Sequence, residues 1–575
     1  MEDKIKKWET IGTVVGNTTV NKYSFVLRSH KARRGDIVAT LTEVPNESGD
    51  IHKVIVWGTL DEIDRFNPFF PQEAAGEIAE EGIEWVDTIL SGSRDEVHSQ
   101  VRILGVTEMD YTKKIDISPL NYPVKPAESV LYPEKEAVSA LLTGNLDKNA
   151  NTIKVGRLIS RKDVEVFMDA DKIVSRHLVI LAMTGAGKTV AVRRILRELI
   201  GEKYSYPIII FDPHGDYLGF YEKKDLFPKA DIKLFYPIIQ ADEDNMDILY
   251  SLIEKLGIKF TDPQHAAFNW CLTQCPYETT DDTLLSYLGR LRDLAESVSR
   301  KREQSDPDIK GMSKSFGVVV RSLDTVRRKL IQMESNNERQ RKKFTKFEFD
   351  PLPNVHKQPF KIIKPGQVSI FYLSGYDELT QSAIVSIVME SLFKHRSELN
   401  DKIPAFSAVI EEAHNFIPSR SEGTSEKPSL ATLRKIITEG RKFGTGLILV
   451  SQRPSRLDET TLAQCNSFIV LRLVNPRVQN HIKQVMENLS NEDASWLPGF
   501  GPGQGLISGQ AVKFPLKVLI DFDEDLTSAS IGDEDFINSN KKWEPPLDEK
   551  LQEENKKNFS DVDDKIKRSK KKVSI

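Results

Sequence analysis

Long apolar runs and cysteines are scarce in this sequence of 575 residues. A membrane-spanning helix needs about 20 consecutive apolar residues, and no run approaches that length. The first residues, MEDK, are charged and are not followed by the apolar core of a secretory signal. Three cysteines cannot form a disulfide framework for a chain this long. We therefore expect a cytoplasmic protein that has no membrane partner.

The chain also lacks an excess of positive charge. It has 80 lysines and arginines against 85 acidic residues, which gives a net charge of −5. A strongly basic field over the whole protein is therefore excluded, and any nucleic acid must bind a local basic surface such as the lining of a channel. The length exceeds that of one hydrophobic core, so we expect several domains.

What the sequence does contain is a phosphate-binding loop. The apolar run LVIL at 178–181 leads into AMTGAGKT at 182–189, and a helical pattern follows. This order of strand, glycine-containing turn and helix is what a P-loop requires, because the backbone N–H groups and the helix N-terminus then face the phosphates. The lysine reaches the β- and γ-phosphates, and the threonine hydroxyl holds Mg²⁺. The predicted nucleotide-binding residues here are Thr184, Gly185, Ala186, Gly187, Lys188, Thr189 and Val190.

One position departs from the usual P-loop pattern, and one further residue is added to the predicted site. The first glycine of the pattern is replaced by Ala182, which is acceptable if the backbone φ angle is negative there. The apolar run at 206–211 ends in DPHGDY at 212–217. Ligands of open α/β sheets bind at the carboxyl ends of strands, so Asp212 is also predicted to contact the nucleotide.

An acidic pair directly follows another apolar strand. FSAVI at 406–410 is followed by Glu411 and Glu412. Phosphoryl transfer depends on positioning and charge neutralisation. Glu411 is therefore predicted to bind Mg²⁺ through water, and Glu412 to orient the attacking water. Paired carboxylates are common on protein surfaces, but their place after a buried strand in a chain with a P-loop favours the catalytic interpretation.

Three further residues are catalytic candidates. Gln452 ends the neighbouring strand, at 446–451, where its amide can sense the γ-phosphate. Arg176 and Arg441 are candidate cations for the transition state, and either can act in its own subunit or on a neighbouring one. An ordinary surface ion pair is the alternative interpretation of each arginine.

The rest of the chain indicates an α/β protein with two additions. Short strands before residue 130 predict a small β-barrel without a catalytic constellation, and alternating strands and helices further on predict a parallel sheet. The basic run ERQRKK at 338–343 is interpreted as a solvated helix face, with a nucleic-acid contact as the alternative. The predicted domains are a barrel at 1–130, an ATPase core at 131–245 and 350–525, a helical insertion at 246–349 and a charged C-terminal extension at 526–575.

Taken together, these motifs resemble the HerA family of the HerA/FtsK hexameric ATPases. The resemblance rests on MTGAGKT at 183–189, DPHGDY at 212–217, EEAHN at 411–415, EGRK at 439–442 and SQRPS at 451–455. The strands around RRGD at 33–36 look like the HAS-barrel of that family. The likeness runs from about residue 9 to residue 525 and implies a RecA-like P-loop core.

The family resemblance implies a homohexameric ring that binds ATP and Mg²⁺ and threads double-stranded DNA through its pore. It also implies an effector docked on the barrel, which is a NurA-like nuclease in DNA end processing or a sirtuin-like protein or other nuclease in antiphage defence. The alternative is an ATP-binding ring scaffold that activates an effector without moving along DNA. A secretion or conjugation ATPase of the same superfamily is a third possibility, for which a membrane partner would be expected.

Overall fold

The computed structural model describes the chain from residue 5 to residue 526 with several gaps. The residues outside the description are 1–4, 6, 29, 46–48, 67–95, 111–116, 144–150, 202–205, 239–252, 256–257, 278–282, 302–308, 399–402, 420–426, 487–488 and 527–575. The predicted C-terminal extension therefore lies almost wholly outside the described residues. Among the described residues, no helix is both long enough and apolar enough to cross a lipid bilayer.

Six antiparallel strands close into a barrel at the N-terminal end, in the order β1-β2-β5-β4-β3-β6. Their apolar side chains alternate inward, so that residues such as Ile11, Phe25 and Val56 form a separate small core. The last strand extends two residues beyond the predicted boundary at 130. The barrel strands are β1 Glu9–Val15, β2 Lys22–Leu27, β3 Ile37–Pro45, β4 Ile51–Phe66, β5 Glu96–Glu108 and β6 Ser129–Tyr132.

The remaining strands form one twelve-stranded sheet, ordered β12-β11-β13-β10-β14-β15-β9-β16-β17-β18-β7-β8. The strands from β12 to β16 in this order are parallel, and those from β17 to β8 are joined by antiparallel pairing. The central strands are buried along their whole length, because helices cover both faces of a parallel sheet. These strands are β7 Thr152–Leu158, β8 Glu165–Asp169, β9 Leu178–Leu181, β10 Ile208–Asp212, β11 Asp231–Tyr236, β12 Phe349–Pro351, β13 Gln367–Tyr372, β14 Phe406–Ile410, β15 Thr445–Ser451, β16 Ser467–Leu471, β17 Gln504–Gly509 and β18 Leu516–Ile520.

Helices connect these strands, and among the described residues three long helices, at 262–274, 284–300 and 313–343, lie between β11 and β12, in the part of the chain predicted as a helical insertion. Arg341, in the basic run at 338–343, hydrogen-bonds the Tyr236 hydroxyl, so part of that run packs against the sheet. The helices are α1 Lys135–Thr143, α2 Ala170–Ser175, α3 Lys188–Ile200, α4 Leu218–Glu222, α5 Asp262–Gln274, α6 Leu284–Arg300, α7 Ser313–Lys343, α8 Glu378–Ser397, α9 Pro428–Glu439, α10 Glu459–Ala463, α11 Pro476–Val485 and α12 Asn491–Ala494.

Candidate nucleotide-binding and hydrolysis site

The P-loop lies between β9 and α3, at the centre of the carboxyl edge of the parallel strands. Its two glycines have left-handed φ angles, +77° at Gly185 and +96° at Gly187, which side chains with a Cβ rarely adopt. A Cβ on Gly187 would also lie 3.1 Å from the backbone nitrogen of Gly503. The first N–H groups of α3 have no partner within the helix, so the loop and the helix start together form an anion-binding concavity.

Lys188 points from the start of α3 toward the acidic pair at the end of β14. Its ammonium nitrogen lies 2.5 Å from Glu411 Oε1 and 2.8 Å from Glu412 Oε1. All three side chains are buried. Burial alone would lower the pKa of Lys188, but the two carboxylates outweigh it and raise that pKa, so the ammonium stays charged. The structure thus brings together the residues predicted to bind phosphate, metal and water.

Glu411 has a second partner, the hydroxyl of Tyr217, which donates a 2.7 Å hydrogen bond to Oε2. Burial raises the pKa of Glu411, against the opposing effect of Lys188. Tyr217 is held in turn by Asp212, which accepts the Tyr217 N–H at 2.9 Å and also the N–H groups of residues 214–216. Asp212 therefore shapes the loop that orients Tyr217. Its carboxylate is engaged by the backbone, which argues against the predicted direct contact with nucleotide.

Glu412 has a left-handed backbone, with φ +51°, and a different second partner. Its Oε2 lies 3.3 Å from His414 Nδ1, which also lies 3.2 Å from the Ser451 hydroxyl at the end of β15. Although burial favours the neutral acid, the Lys188 ammonium holds the pKa of Glu412 below its usual range. Glu412 is thus the carboxylate whose ionised, proton-accepting form is favoured.

Gln452 follows β15 and reaches the P-loop. Its side-chain oxygen accepts a 2.7 Å hydrogen bond from the Thr184 hydroxyl. The order of strands explains this contact, because β15 lies between β14 and β9 and so carries its end to the P-loop. Gln452 therefore lies where the predicted phosphate sensor should be.

The structure does not bring the two candidate arginines to this site. Arg176 precedes β9 and hydrogen-bonds the Gln510 side chain, and Arg441 lies in a short helix before β15. Both therefore lie at the amino edge of the parallel strands, whereas Lys188 lies at the carboxyl edge. The four residues of β9 alone separate the edges by about 13 Å. This placement does not support either arginine as a sensor in its own subunit, and the role of each, including action on a neighbouring subunit, stays a prediction.

The residues present fit a nucleoside triphosphate with magnesium. A cationic side chain, a glycine loop with left-handed backbone and a helix start face the same concavity, which suits an anion. Thr189 and Glu411 offer hydroxyl and carboxylate oxygens, the ligands that magnesium prefers. Magnesium is commonly held by one or two carboxylates together with water and phosphate, so it needs few protein ligands.

Sequence reasoning missed two members of the site, Tyr217 and His414. Tyr217 lies at the end of the DPHGDY motif and His414 lies in the EEAHN motif, but the motifs alone predict no role for either side chain. Tyr217 is 194 residues from Glu411, so only the pairing of β10 with β14 brings them together. The sequence signal for a role of Tyr217 in the site is its position shortly after an aspartate that ends a strand.

A buried P-loop lysine facing two strand-end glutamates, on a parallel sheet, defines the class of P-loop ATPases with a RecA-like core. The family model described as "Helicase HerA, central domain" matches residues 153–392. The DNA double-strand break repair helicase HerA of Saccharolobus solfataricus is 30% identical over 404 residues, which is 68% of this chain and 72% of that protein. The chain belongs to the HerA family, and the predicted fold and enzyme class, a helicase-type ATPase, are confirmed.

Other relatives and solved structures extend the comparison. The DNA double-strand break repair helicase HerA of Pyrococcus furiosus is 27% identical over 563 residues, covering 89% of this chain and 92% of that protein. Among solved structures, VirB4 of Thermoanaerobacter pseudethanolicus matches with a TM-score of 0.44 and 15% identity, and the match covers 66% of this chain and 98% of the VirB4 chain. The sequence relatives therefore match both the barrel and the ATPase parts of this chain.

Proposed function

We propose that this protein is an ATP-driven, double-stranded DNA translocase that acts as a homohexameric ring in DNA end processing. The single observation that carries the proposal is the buried contact of Lys188 with both Glu411 and Glu412 at 2.5 and 2.8 Å. In this arrangement Lys188 can bind phosphate, Glu411 can bind the metal and Glu412 can orient the attacking water. Relatives named as DNA double-strand break repair helicases support the proposal that the protein translocates on DNA.

Each residue has a distinct task in the proposed hydrolysis. Lys188 leaves the carboxylates for the β- and γ-phosphates, because a phosphate chain carries more negative charge than the glutamate pair. Glu411, oriented by Tyr217, would hold magnesium through water together with the Thr189 hydroxyl, and the metal would neutralise phosphate charge. Glu412 accepts a hydrogen bond from the attacking water. Gln452 contacts the γ-phosphate through its amide, so that loss of this phosphate changes the position of the end of β15.

The proposal of a ring rests on the family resemblance and on where the two candidate arginines lie. Arg176 and Arg441 lie at the edge of the sheet opposite Lys188, so in a ring either could face the nucleotide of the next subunit. An arginine supplied from another subunit stabilises transition-state charge and raises phosphoryl-transfer rates by about 10³–10⁵. We propose Arg441 or Arg176 for this role.

DNA-stimulated ATP hydrolysis tests the proposed motor. Purified full-length protein should hydrolyse ATP faster with linear double-stranded DNA than without it. The variant Lys188→Ala should hydrolyse none, because the phosphate charge is left unmatched, whereas Lys125→Ala, which removes an exposed barrel lysine, should behave as the wild type. Hydrolysis that DNA leaves unchanged would instead favour a ring scaffold that activates an effector without translocation.

We also propose that the barrel holds the effector, a nuclease of the NurA type or another nuclease or sirtuin-like protein. Barrels present loops and rims suited to protein docking, and the described residues of this barrel contribute none of the side chains of the site above. Cross-linking in cells followed by mass spectrometry should join the partner to residues 9–132. Cross-links confined to the ATPase core would place the docking surface elsewhere. Deleting the barrel is a poor test, because the barrel neutralises a buried carboxylate of the core, Asp493.

A further inference from the structure

An arginine of the barrel, Arg102, forms a bidentate contact with Asp493, a buried carboxylate of the ATPase core. Arg102, in β5, donates to both oxygens of Asp493, in α12, at 2.8 and 3.0 Å, and to Asp61 of the barrel at 2.9 Å. The Asp493 side chain is fully buried and also lies 2.7 Å from Lys517 Nζ. A buried carboxylate depends on its cationic partners, so the barrel and the core share one ion cluster.

A second barrel arginine contacts the residues that follow α12. The Arg34 guanidinium carbon lies 4.6 Å from the centre of the Trp496 ring, and its Nη2 donates to the Ser495 hydroxyl at 2.8 Å. Its Nε donates to the Asp61 backbone oxygen at 2.7 Å. Planar guanidinium groups stack well on indole rings. The barrel therefore clamps residues 493–496 from two of its own elements.

The chain that leaves this clamp holds the P-loop at two points. At the first, the Leu473 N–H donates to Leu497 O at 3.1 Å, and the adjoining Arg472 O accepts the Met183 N–H at 3.1 Å. At the second, the Gly503 N–H donates to Ala186 O at 3.0 Å. Both anchors of the P-loop thus lead to the segment 497–503, which is continuous with the clamped residues 493–496.

We infer that Arg102 and Arg34 are positioning residues for the nucleotide site, and that the barrel controls P-loop geometry through residues 493–503. This inference rests on the proposed function, since it assumes that ATP binds the P-loop. An effector seated on the barrel then has a direct route to ATP affinity. The arginines act through Asp493, Trp496 and Gly503 and do not touch the nucleotide.

The test measures the affinity of full-length variants for a fluorescent ATP analogue at 25 °C, with the folded fraction followed by circular dichroism. Arg102→Ala and Arg34→Ala should each weaken binding by about fivefold or more, the range of typical coupling between sites. The matched control is Lys125→Ala, since Lys125 also forms an ion pair in the barrel, with Glu43, but is exposed and far in the chain from α12. A merely structural role would lower the melting temperature and leave the affinity of the folded protein unchanged.

The outcomes separate this inference from the proposed function. If the wild type binds no ATP, the proposed function fails. If the wild type binds and both arginine variants bind within twofold of Lys125→Ala, the inference is wrong. Arg102→Ala will fail to fold if Asp493 cannot lose this partner, and Arg34→Ala then decides the test alone. Arg34 is exposed, so its removal leaves no buried charge without a partner.

Discussion

Removing one hydroxyl group, by Tyr217→Phe, should impair metal-dependent hydrolysis while leaving the fold intact. The Tyr217 hydroxyl donates a 2.7 Å hydrogen bond to Glu411 Oε2, and both side chains are fully buried. Phenylalanine keeps the ring and its packing, so the substitution deletes this bond and little else. Glu411 then keeps Lys188 at 2.5 Å as its remaining named partner, and its carboxylate is free to rotate.

The expected loss follows from the charge of the acceptor. A hydrogen bond to a charged group contributes about 1.5–3 kcal/mol, and each 1.36 kcal/mol corresponds to a factor of ten in rate. If Glu411 must be held in place to bind magnesium, kcat should fall by about 10- to 100-fold. The magnesium concentration that gives half-maximal activity should rise as well, because a mobile carboxylate is a poorer ligand.

The assay is steady-state ATP hydrolysis at a series of magnesium concentrations, with Tyr23→Phe as the matched control. The Tyr23 hydroxyl is also buried and hydrogen-bonded, to Thr40 at 2.7 Å, but it lies within the barrel. Its loss should lower stability and leave kcat and the magnesium requirement unchanged. A kcat for Tyr217→Phe within twofold of the wild type, with an unchanged magnesium requirement, would refute the role given to this residue.

Three further predictions concern the same sheet. Glu412→Gln should keep ATP binding and lose at least about 100-fold in turnover, the range of general-base catalysis. The assay measures the rate of phosphate release, and a wild-type rate would contradict the role given to Glu412. Mixing Arg441→Ala with Lys188→Ala should restore some hydrolysis in mixed rings if Arg441 acts on a neighbour, whereas rings shown to mix without rescue would count against it. Burial lowers the pKa of His177 to about 4 from an ordinary 6.5; its stabilising contribution is therefore complete above pH 6.5 and is lost as the pH falls to about 4, a difference of about 3 kcal/mol. His177→Asn, which tolerates the φ of +60°, should show a correspondingly smaller fall in unfolding free energy between pH 7 and 4.5 in urea titrations, and a fall equal to that of the wild type would contradict the assignment.

Much of the fold could be predicted because its signals are local. The apolar run before residue 182 and the glycines at 185 and 187 impose a strand and a left-handed turn on the backbone, whatever surrounds them. The acidic pair after 406–410 is similarly read from one short stretch. The small barrel was predictable from strand spacing, although its last strand ends at 132 and not at 130.

The edge of the sheet at which a residue lies can be predicted once the direction of its strand is known. Arg176 and Arg441 each precede a strand, and parallel strands begin at the same edge of a sheet. Their distance from the P-loop was therefore available from the sequence once both strands were taken as parallel. Asp212 shows a different limit, since whether a strand-end carboxylate faces ligand or its own loop depends on the loop's conformation.

The P-loop, the acidic pair and the alternation of strands and helices can be predicted from sequence alone, since each depends on backbone preferences and side-chain periodicity within a few residues. Which distant groups meet depends on the three-dimensional fold. Tyr217 and Glu411 are 194 residues apart, and Arg102 and Asp493 are 391 apart. Such contacts depend on strand order and on how the barrel is seated, and these are settled by burial of the whole apolar surface and not by any local pattern.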